Sequence, residues 1–84
     1  MGGPSEQMIE YIEQDVIRRT DVHIAETTRL VSSGLIDSLA LVDILTKLED
    51  VTNTRIPAGK VQPKDLDTIQ LMLATAARLG KPRK

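Results

Sequence analysis

Gly34-Leu35-Ile36-Asp37-Ser38-Leu39, with the helical pattern that follows it, is the stretch that decides the fold. Asp37 and Ser38 are both residue types whose side-chain oxygens accept hydrogen bonds from free backbone N–H groups at a helix start. Apolar residues then recur at spacings of three and four, which is typical of one buried helical face. They are Leu41, Ile44, Leu45, Leu48 and Val51. The stretch therefore predicts a helix over Leu39–Val51 that begins beside a serine.

A second face of the predicted helix carries the serine. Ser38, Val42 and Thr46 are spaced by four residues, so they lie on one side of the helix, flanked by Leu39 and Asp43. This side differs from the apolar stripe. The serine is therefore predicted to have apolar and acidic neighbours that need not enter the core.

The surroundings of Ser38 do not favour nucleophilic catalysis. A nucleophilic serine requires an adjacent base, usually a histidine held by a carboxylate. His23 is the only histidine, lies fifteen residues upstream and is read as an ordinary loop residue, and the Gly-x-Ser-x-Gly pattern is absent. The positive end of a helix instead stabilises a phosphate. We therefore expect Ser38 to carry a phosphoester, and we expect no catalytic residue and no enzyme.

The same hexapeptide resembles the Gly-x-x-Asp-Ser-Leu motif of acyl and aminoacyl carrier proteins. The resemblance extends over roughly Ser5 to Leu79, including Arg55-Ile56-Pro57 after the serine helix and Leu66-Asp67-Thr68-Ile69 at the start of the last helix. It implies that Ser38 receives 4′-phosphopantetheine from coenzyme A through a phosphodiester. In the same way it implies that the thiol of this arm carries an acyl or aminoacyl thioester. The cofactor-binding residues implied are Ser38, Asp37, Gly34 and Leu39.

The resemblance also implies a set of partner enzymes. A phosphopantetheinyl transferase would attach the arm, an acyl- or aminoacyl-adenylating ligase or an acyltransferase would load it, and synthases or transferases would use the cargo. The serine helix is acidic, because four acidic residues and one lysine lie within 37–50. Such a surface steers basic partners. The partner-binding residues expected are Leu39, Val42, Asp43 and Thr46, whereas Glu49 and Asp50 are read as a solvated acidic face.

The motif departs from that of fatty-acid carriers. Gly34 lies four residues before the serine, whereas fatty-acid synthesis carriers usually have the glycine three residues before it. The spacing is similar to that of D-alanyl, aminoacyl and other specialised stand-alone carriers. Lys47, Thr52 and Arg55 also stand where strongly acidic fatty-acid carriers tend to have other residues. The resemblance thus implies a specialised carrier with a small or polar cargo.

Composition limits the class of protein. Eighty-four residues form one small domain, and the chain has no Phe, no Trp and one Tyr, so its core must be aliphatic. Without cysteine it can form neither a disulfide nor a thiolate metal site, and no metal is expected. Without a long apolar run we expect neither a signal peptide nor stable membrane insertion. The expectation is a cytoplasmic monomer.

The flanking sequence predicts the rest of an all-α, up–down bundle with three long helices and one short helix. Residues 1–4 are expected to be disordered, 5–80 to form the carrier domain and 81–84 to be a frayed basic tail. The first helix is predicted over Ser5–Arg19 with Ser5 as its cap. The connection 20–37 should be pinned by Val22, Ile24, Leu30 and Val31, and it has room for a helical turn over Thr27–Val31.

The last part of the chain predicts two helices. A short one begins at Pro63 and ends at Leu66, because proline suits the first helical position. Asp67 and Gln70 match a capping box at the start of the last helix, and Gly80 is its expected end. Its apolar stripe is Ile69, Met72, Leu73, Ala76 and Leu79.

Two other functions fit parts of this pattern. An unmodified helical protein–protein interaction module could use Leu39 and Val42 as a docking patch. A helix-turn-helix DNA-binding protein fits badly, because its recognition helix would carry Asp43 and two further acidic residues against Lys47 and would repel phosphates. No nucleic-acid partner is expected.

Overall fold

The fold is that of a computed structural model, which describes residues 2–18 and 21–82. It has three α-helices, α1 (Pro4–Tyr11), α2 (Ala40–Thr52) and α3 (Ile69–Leu79). Short 3₁₀ turns lie at Ala58–Lys60 and Pro63–Leu66. The second of these confirms the predicted short helix, and the first was not predicted.

The first helix differs from the predicted Ser5–Arg19. It begins at Pro4, where the Gly3 N–H donates to the Glu6 carboxylate at 3.4 Å, so Ser5 is not the cap. After α1 the chain continues as π-helix over Ile12–Ile17. Arg18 adopts a left-handed conformation (φ 59°), which ends the helix. Arg19 lies outside the described residues.

Aliphatic side chains from all three helices form the core, as the stripes predicted. Met8, Ile12, Ile44, Leu48, Ile69 and Met72 are completely buried. The connection before α2 is pinned by the buried Ile24 and Leu30, while Val22 and Val31 pack against the core half-buried. Its described part forms turns at 26–27 and 31–34 instead of the predicted helical turn over Thr27–Val31.

The described residues are mostly helical, as predicted, but they also contain a small two-stranded antiparallel ladder that was not predicted. β1 (Thr54–Arg55) pairs with β2 (Lys81–Pro82), so Lys81 and Pro82 are not frayed. Gly80 ends α3 as predicted, although for another reason. Its φ is −69°, but an added Cβ would lie 2.3 Å from the Ala76 carbonyl oxygen and 3.0 Å from Thr54 Cβ. The Ala76 carbonyl, with Thr54 of β1 as a second close neighbour, therefore leaves no room for a side chain at this position. Residues 83–84 of the predicted tail lie outside the described residues.

The end of α2 contains a second correction. The helix ends at Asn53, which is left-handed (φ 54°). Glu49, predicted as a solvated residue, is half-buried, and its Oε2 accepts a hydrogen bond from the Ile56 N–H at 2.7 Å. This contact fixes the turn into β1.

The start of α3 contains a third correction, because Thr68 and not Asp67 caps it. Thr68 Oγ1 accepts from the Leu71 N–H at 3.0 Å. The buried Thr75, which no pattern singled out, donates to the Asp65 carbonyl at 3.1 Å and so ties α3 to the preceding turn.

Among the described residues, no helix combines the length and the apolar character needed to cross a membrane.

Candidate functional site

The loop that leads to Ser38 is held by the start of α3. Asp67 Oδ1 accepts hydrogen bonds from the N–H groups of Leu30, Val31 and Ser32 at 3.1, 2.8 and 2.9 Å. Its Oδ2 accepts from the Ser32 hydroxyl at 2.9 Å. These bonds hold the pKa of Asp67 below its ordinary value of 3.8, and the bond from the Ser32 N–H has the largest effect. A carboxylate that sequence analysis assigned to a helix cap is therefore the anchor of this loop.

Two backbone hydrogen bonds also join these parts of the chain. The Gln70 N–H donates to the Glu26 carbonyl at 3.1 Å, and the Asp67 carbonyl accepts from the Leu30 N–H at 2.7 Å. The first turn of α3 therefore contacts the loop at two points along its length. No local sequence signal indicates this contact, because the partners are more than thirty residues apart.

The loop closes on itself through the first half of the motif. The Ile36 N–H donates to the Leu30 carbonyl at 3.1 Å, and both side chains are buried. Between them the chain turns at Gly34, whose φ of +84° lies in the left-handed region that favours glycine. An added Cβ at Gly34 would meet no atom within 4 Å, so the backbone conformation and not the available space selects glycine there.

Asp37 caps the helix that follows. Its Oδ1 accepts from the Ala40 N–H at 3.1 Å, and the Ser38 carbonyl accepts from the Leu41 N–H at 3.3 Å. Of the two capping residues predicted, Asp37 is the one whose side chain bonds this turn, although Leu39 directly precedes α2 and the Asp37 carbonyl accepts from the same Ala40 N–H at 3.2 Å. The Ser38 side chain is exposed, and within the described residues no hydrogen bond involves its hydroxyl. The hydroxyl is therefore presented to solvent at the positive end of α2.

The face of α2 beyond the serine is exposed and partly apolar. Leu39 is 83% exposed and Val42 is 70% exposed, which is unusual for large aliphatic side chains on a core helix. Asp43 and Thr46 are also exposed, and the Thr46 hydroxyl donates to the Val42 carbonyl at 3.1 Å. The structure thus places the four predicted partner-binding residues around Ser38 and on the solvent side of α2.

The acidic side of this face borders α1. The Lys47 Nζ lies 5.5 Å from the centre of the Tyr11 ring, close enough for a cation–π contact. Burial, with the nearby charges of Asp43 and Asp15, raises the pKa of the Tyr11 hydroxyl. The one lysine of the acidic helix therefore lies against α1.

An apolar groove begins at Ser38 and runs between α2 and the segment 58–66. Its volume is about 240 Å³. Besides Ser38 it is lined by Leu41, Val42, Leu45, Ala58, Val61, Gln62, Pro63 and Leu66. Leu41 and Leu45, predicted only as core residues, are half-buried and also line this groove.

This arrangement suits attachment better than catalysis. His23 is exposed, and its Nδ1 lies 3.9 Å from Glu13 Oε2. That carboxylate oxygen accepts a hydrogen bond from the Ile24 N–H. Among the described residues no base is hydrogen-bonded to Ser38. An exposed hydroxyl at a helix start, beside an apolar groove, fits a phosphodiester-linked arm.

Comparison with known proteins supports the same chemistry. A family model described as phosphopantetheine attachment site matches residues 7–76. This span contains α2, the loop before it and most of α3. No curated protein and no solved structure matches the chain.

Proposed function

The chain belongs to the phosphopantetheine attachment site family, and from this premise we propose that it is an acyl or aminoacyl carrier protein modified at Ser38. The prosthetic group of the family is a covalently attached 4′-phosphopantetheine. The observation that carries the proposal is the exposed hydroxyl of Ser38, which has no hydrogen-bond partner among residues 2–18 and 21–82 and directly follows the capping residue Asp37.

Attachment requires a transferase and coenzyme A. The Ser38 oxygen forms a bond to the phosphorus that carries pantetheine, and the bond between that phosphorus and the nucleotide half of coenzyme A breaks. The serine proton passes to a base of the transferase. This chain contributes the accessible hydroxyl oxygen of Ser38. That oxygen is available for attachment because the carboxylate of Asp37, and not Ser38, caps α2. The positive end of α2 favours the negative phosphodiester.

The bound arm supplies a thiol that this cysteine-free chain lacks. A ligase or acyltransferase would load the thiol, and synthases or transferases would take the cargo. In this proposal the domain contributes a high local concentration of tethered substrate and the surface that each partner recognises. Exposed Leu39 and Val42, with acidic Asp43 beside them, support docking to partners with an apolar and basic surface.

The motif supports a class of cargo. The four-residue spacing from Gly34 to Ser38 supports a specialised acyl or aminoacyl cargo. The groove beside Ser38 is open to solvent and only about 240 Å³ in volume, which supports a short group on the arm.

The test is attachment of the arm. Purified protein is incubated with coenzyme A, Mg²⁺ and a phosphopantetheinyl transferase of broad specificity, and its intact mass is measured. We expect wild type to gain one phosphopantetheine and Ser38→Ala to gain none. Thr27→Ala is the control, because Thr27 also carries a hydroxyl on an exposed side chain but lies outside the loop 30–36.

A folded wild-type protein that gains no mass would contradict the proposal. An equal gain in Ser38→Ala would contradict the assigned residue. If folded wild type gains no mass but specifically captures a partner, and Leu39→Ala no longer captures it, an unmodified interaction module would be favoured instead.

A further inference from the structure

Asp67 contacts the attachment loop although it lies outside the attachment motif. One carboxylate oxygen accepts three consecutive backbone N–H groups, those of residues 30–32, and the other accepts the Ser32 hydroxyl. All four bonds are between 2.8 and 3.1 Å long, which is the ordinary range for strong hydrogen bonds. Bonds to an ionised acceptor are about twice as strong as neutral ones.

These bonds are connected to Ser38 by a short series of contacts. Leu30, which donates to Asp67, also accepts from the Ile36 N–H at 3.1 Å through its carbonyl. Ile36 is buried and directly precedes Asp37, the cap of α2. Residues 30–36 therefore form a closed loop with one end fixed on α3 and the other fixed at the start of α2.

We propose that Asp67 is a positioning residue for phosphopantetheine attachment, because it holds the loop 30–36 in the conformation that presents Ser38 to the transferase. The proposal rests on the proposed function. Without this carboxylate, the N–H groups of Val31 and Ser32 lose their acceptor, and the Leu30 N–H keeps only the Asp67 carbonyl at 2.7 Å. The transferase then meets Ser38 in a mixture of loop conformations, of which a fraction is competent, and the apparent affinity falls by that fraction.

The experiment measures kcat and KM of the transferase for the carrier at saturating coenzyme A. The substrates compared are wild type, Asp67→Ala, Asp67→Asn, Ser32→Ala and Glu49→Ala. Glu49→Ala is the matched control, since it also replaces a carboxylate that accepts a backbone N–H, but at the other end of α2. Circular dichroism gives the folded fraction of each variant at the assay temperature.

We expect Asp67→Ala to lower kcat/KM on the order of tenfold, mainly through KM, while the protein is folded. Asp67→Asn keeps an acceptor oxygen without the charge and should recover part of this loss. Ser32→Ala removes one of the four bonds and should cause a smaller loss. Glu49→Ala should leave kcat/KM within twofold of wild type. Hydrogen exchange of the amides of Val31 and Ser32 should be faster in Asp67→Ala and unchanged in Glu49→Ala.

Equal kcat/KM values for wild type and folded Asp67→Ala would overturn the inference while leaving attachment at Ser38 intact. The same drop in Asp67→Ala and Glu49→Ala would also overturn it, because general destabilisation would then explain the effect. If Asp67→Ala does not fold, unchanged kcat/KM in both Asp67→Asn and Ser32→Ala overturns the inference. Failure of wild type to accept the arm is a separate result, which contradicts the proposed function itself.

Discussion

The Asp37 carboxylate accepts a hydrogen bond from the Ala40 N–H at 3.1 Å, across the exposed Ser38 between them. The Asp37 side chain thus accepts a hydrogen bond from the first turn of α2, so the Ser38 side chain is not needed as an acceptor there. This division matters for a serine that is proposed to be modified, because attachment of a phosphodiester to Ser38 need not break the cap of the helix.

The first prediction concerns the stability of this helix start. Asp37→Ala should lower the free energy of unfolding by about 1 kcal/mol, the usual effect of losing a cap. Ser38→Ala should change it by less than about 0.5 kcal/mol, as expected for an exposed position. Urea unfolding followed by circular dichroism measures both, with Asp37→Asn as the variant that keeps a capping oxygen. A larger loss in Ser38→Ala than in Asp37→Ala would show that the cap is assigned to the wrong residue.

The second prediction compares two glycines. In Gly80→Ala the new methyl group would lie against the Ala76 carbonyl and Thr54, so we expect a loss of about 1–3 kcal/mol, which is the usual cost of overpacking. Gly59→Ala places its methyl group where no atom lies within 4 Å, and it should be nearly neutral. Thermal unfolding of the two variants side by side gives the comparison. Equal stability of the two would contradict the close packing of α3 against β1.

The periodic parts of this fold could be predicted from sequence because the signal is local. The stripe of α2 and the proline at the start of Pro63–Leu66 each fix an element within a few residues. The same geometry placed Leu39 and Val42 off the buried stripe without deciding whether they enter the core, and the structure leaves both exposed.

Other features could not be predicted because they depend on contacts between distant segments. Asp67 fits a capping pattern, yet its carboxylate bonds the loop at Ser32, thirty-five residues away in the chain. The ladder of β1 and β2 consists of two residues per strand, too few for an alternating pattern. In the sequence, Glu49 resembles its exposed neighbour Asp50. Its carboxylate accepts a backbone hydrogen bond because the fold brings the Ile56 N–H to it.

The third prediction separates the two faces of α2. Ile44 is completely buried, so Ile44→Ala should lower the free energy of unfolding by about 2–5 kcal/mol. Leu39→Ala removes a side chain that is 83% exposed and should lower it by less than about 0.5 kcal/mol. Urea unfolding measures both, and a large destabilisation in Leu39→Ala would contradict the exposed position of this residue.

The fourth prediction concerns acid stability. The pKa of Asp67 is lower in the folded protein than in the unfolded chain, so its ionised form favours folding. This contribution is complete above the unfolded-state pKa of about 3.9 and is lost as the pH falls through the lower, folded-state value. The stability difference between wild type and Asp67→Asn should therefore shrink below about pH 4. Urea unfolding of both proteins over a pH series gives this difference, and a gap that widens on acidification would contradict the prediction.

The most direct test of the central claim is to locate the modified residue. Wild type treated with coenzyme A, Mg²⁺ and the transferase is digested, and the peptide that contains residues 30–47 is fragmented in the mass spectrometer. The account predicts one phosphopantetheine, carried by Ser38 alone and not by Ser32, Ser33 or Thr46. An arm on any of those three residues, or an unmodified peptide from a folded protein, would contradict it.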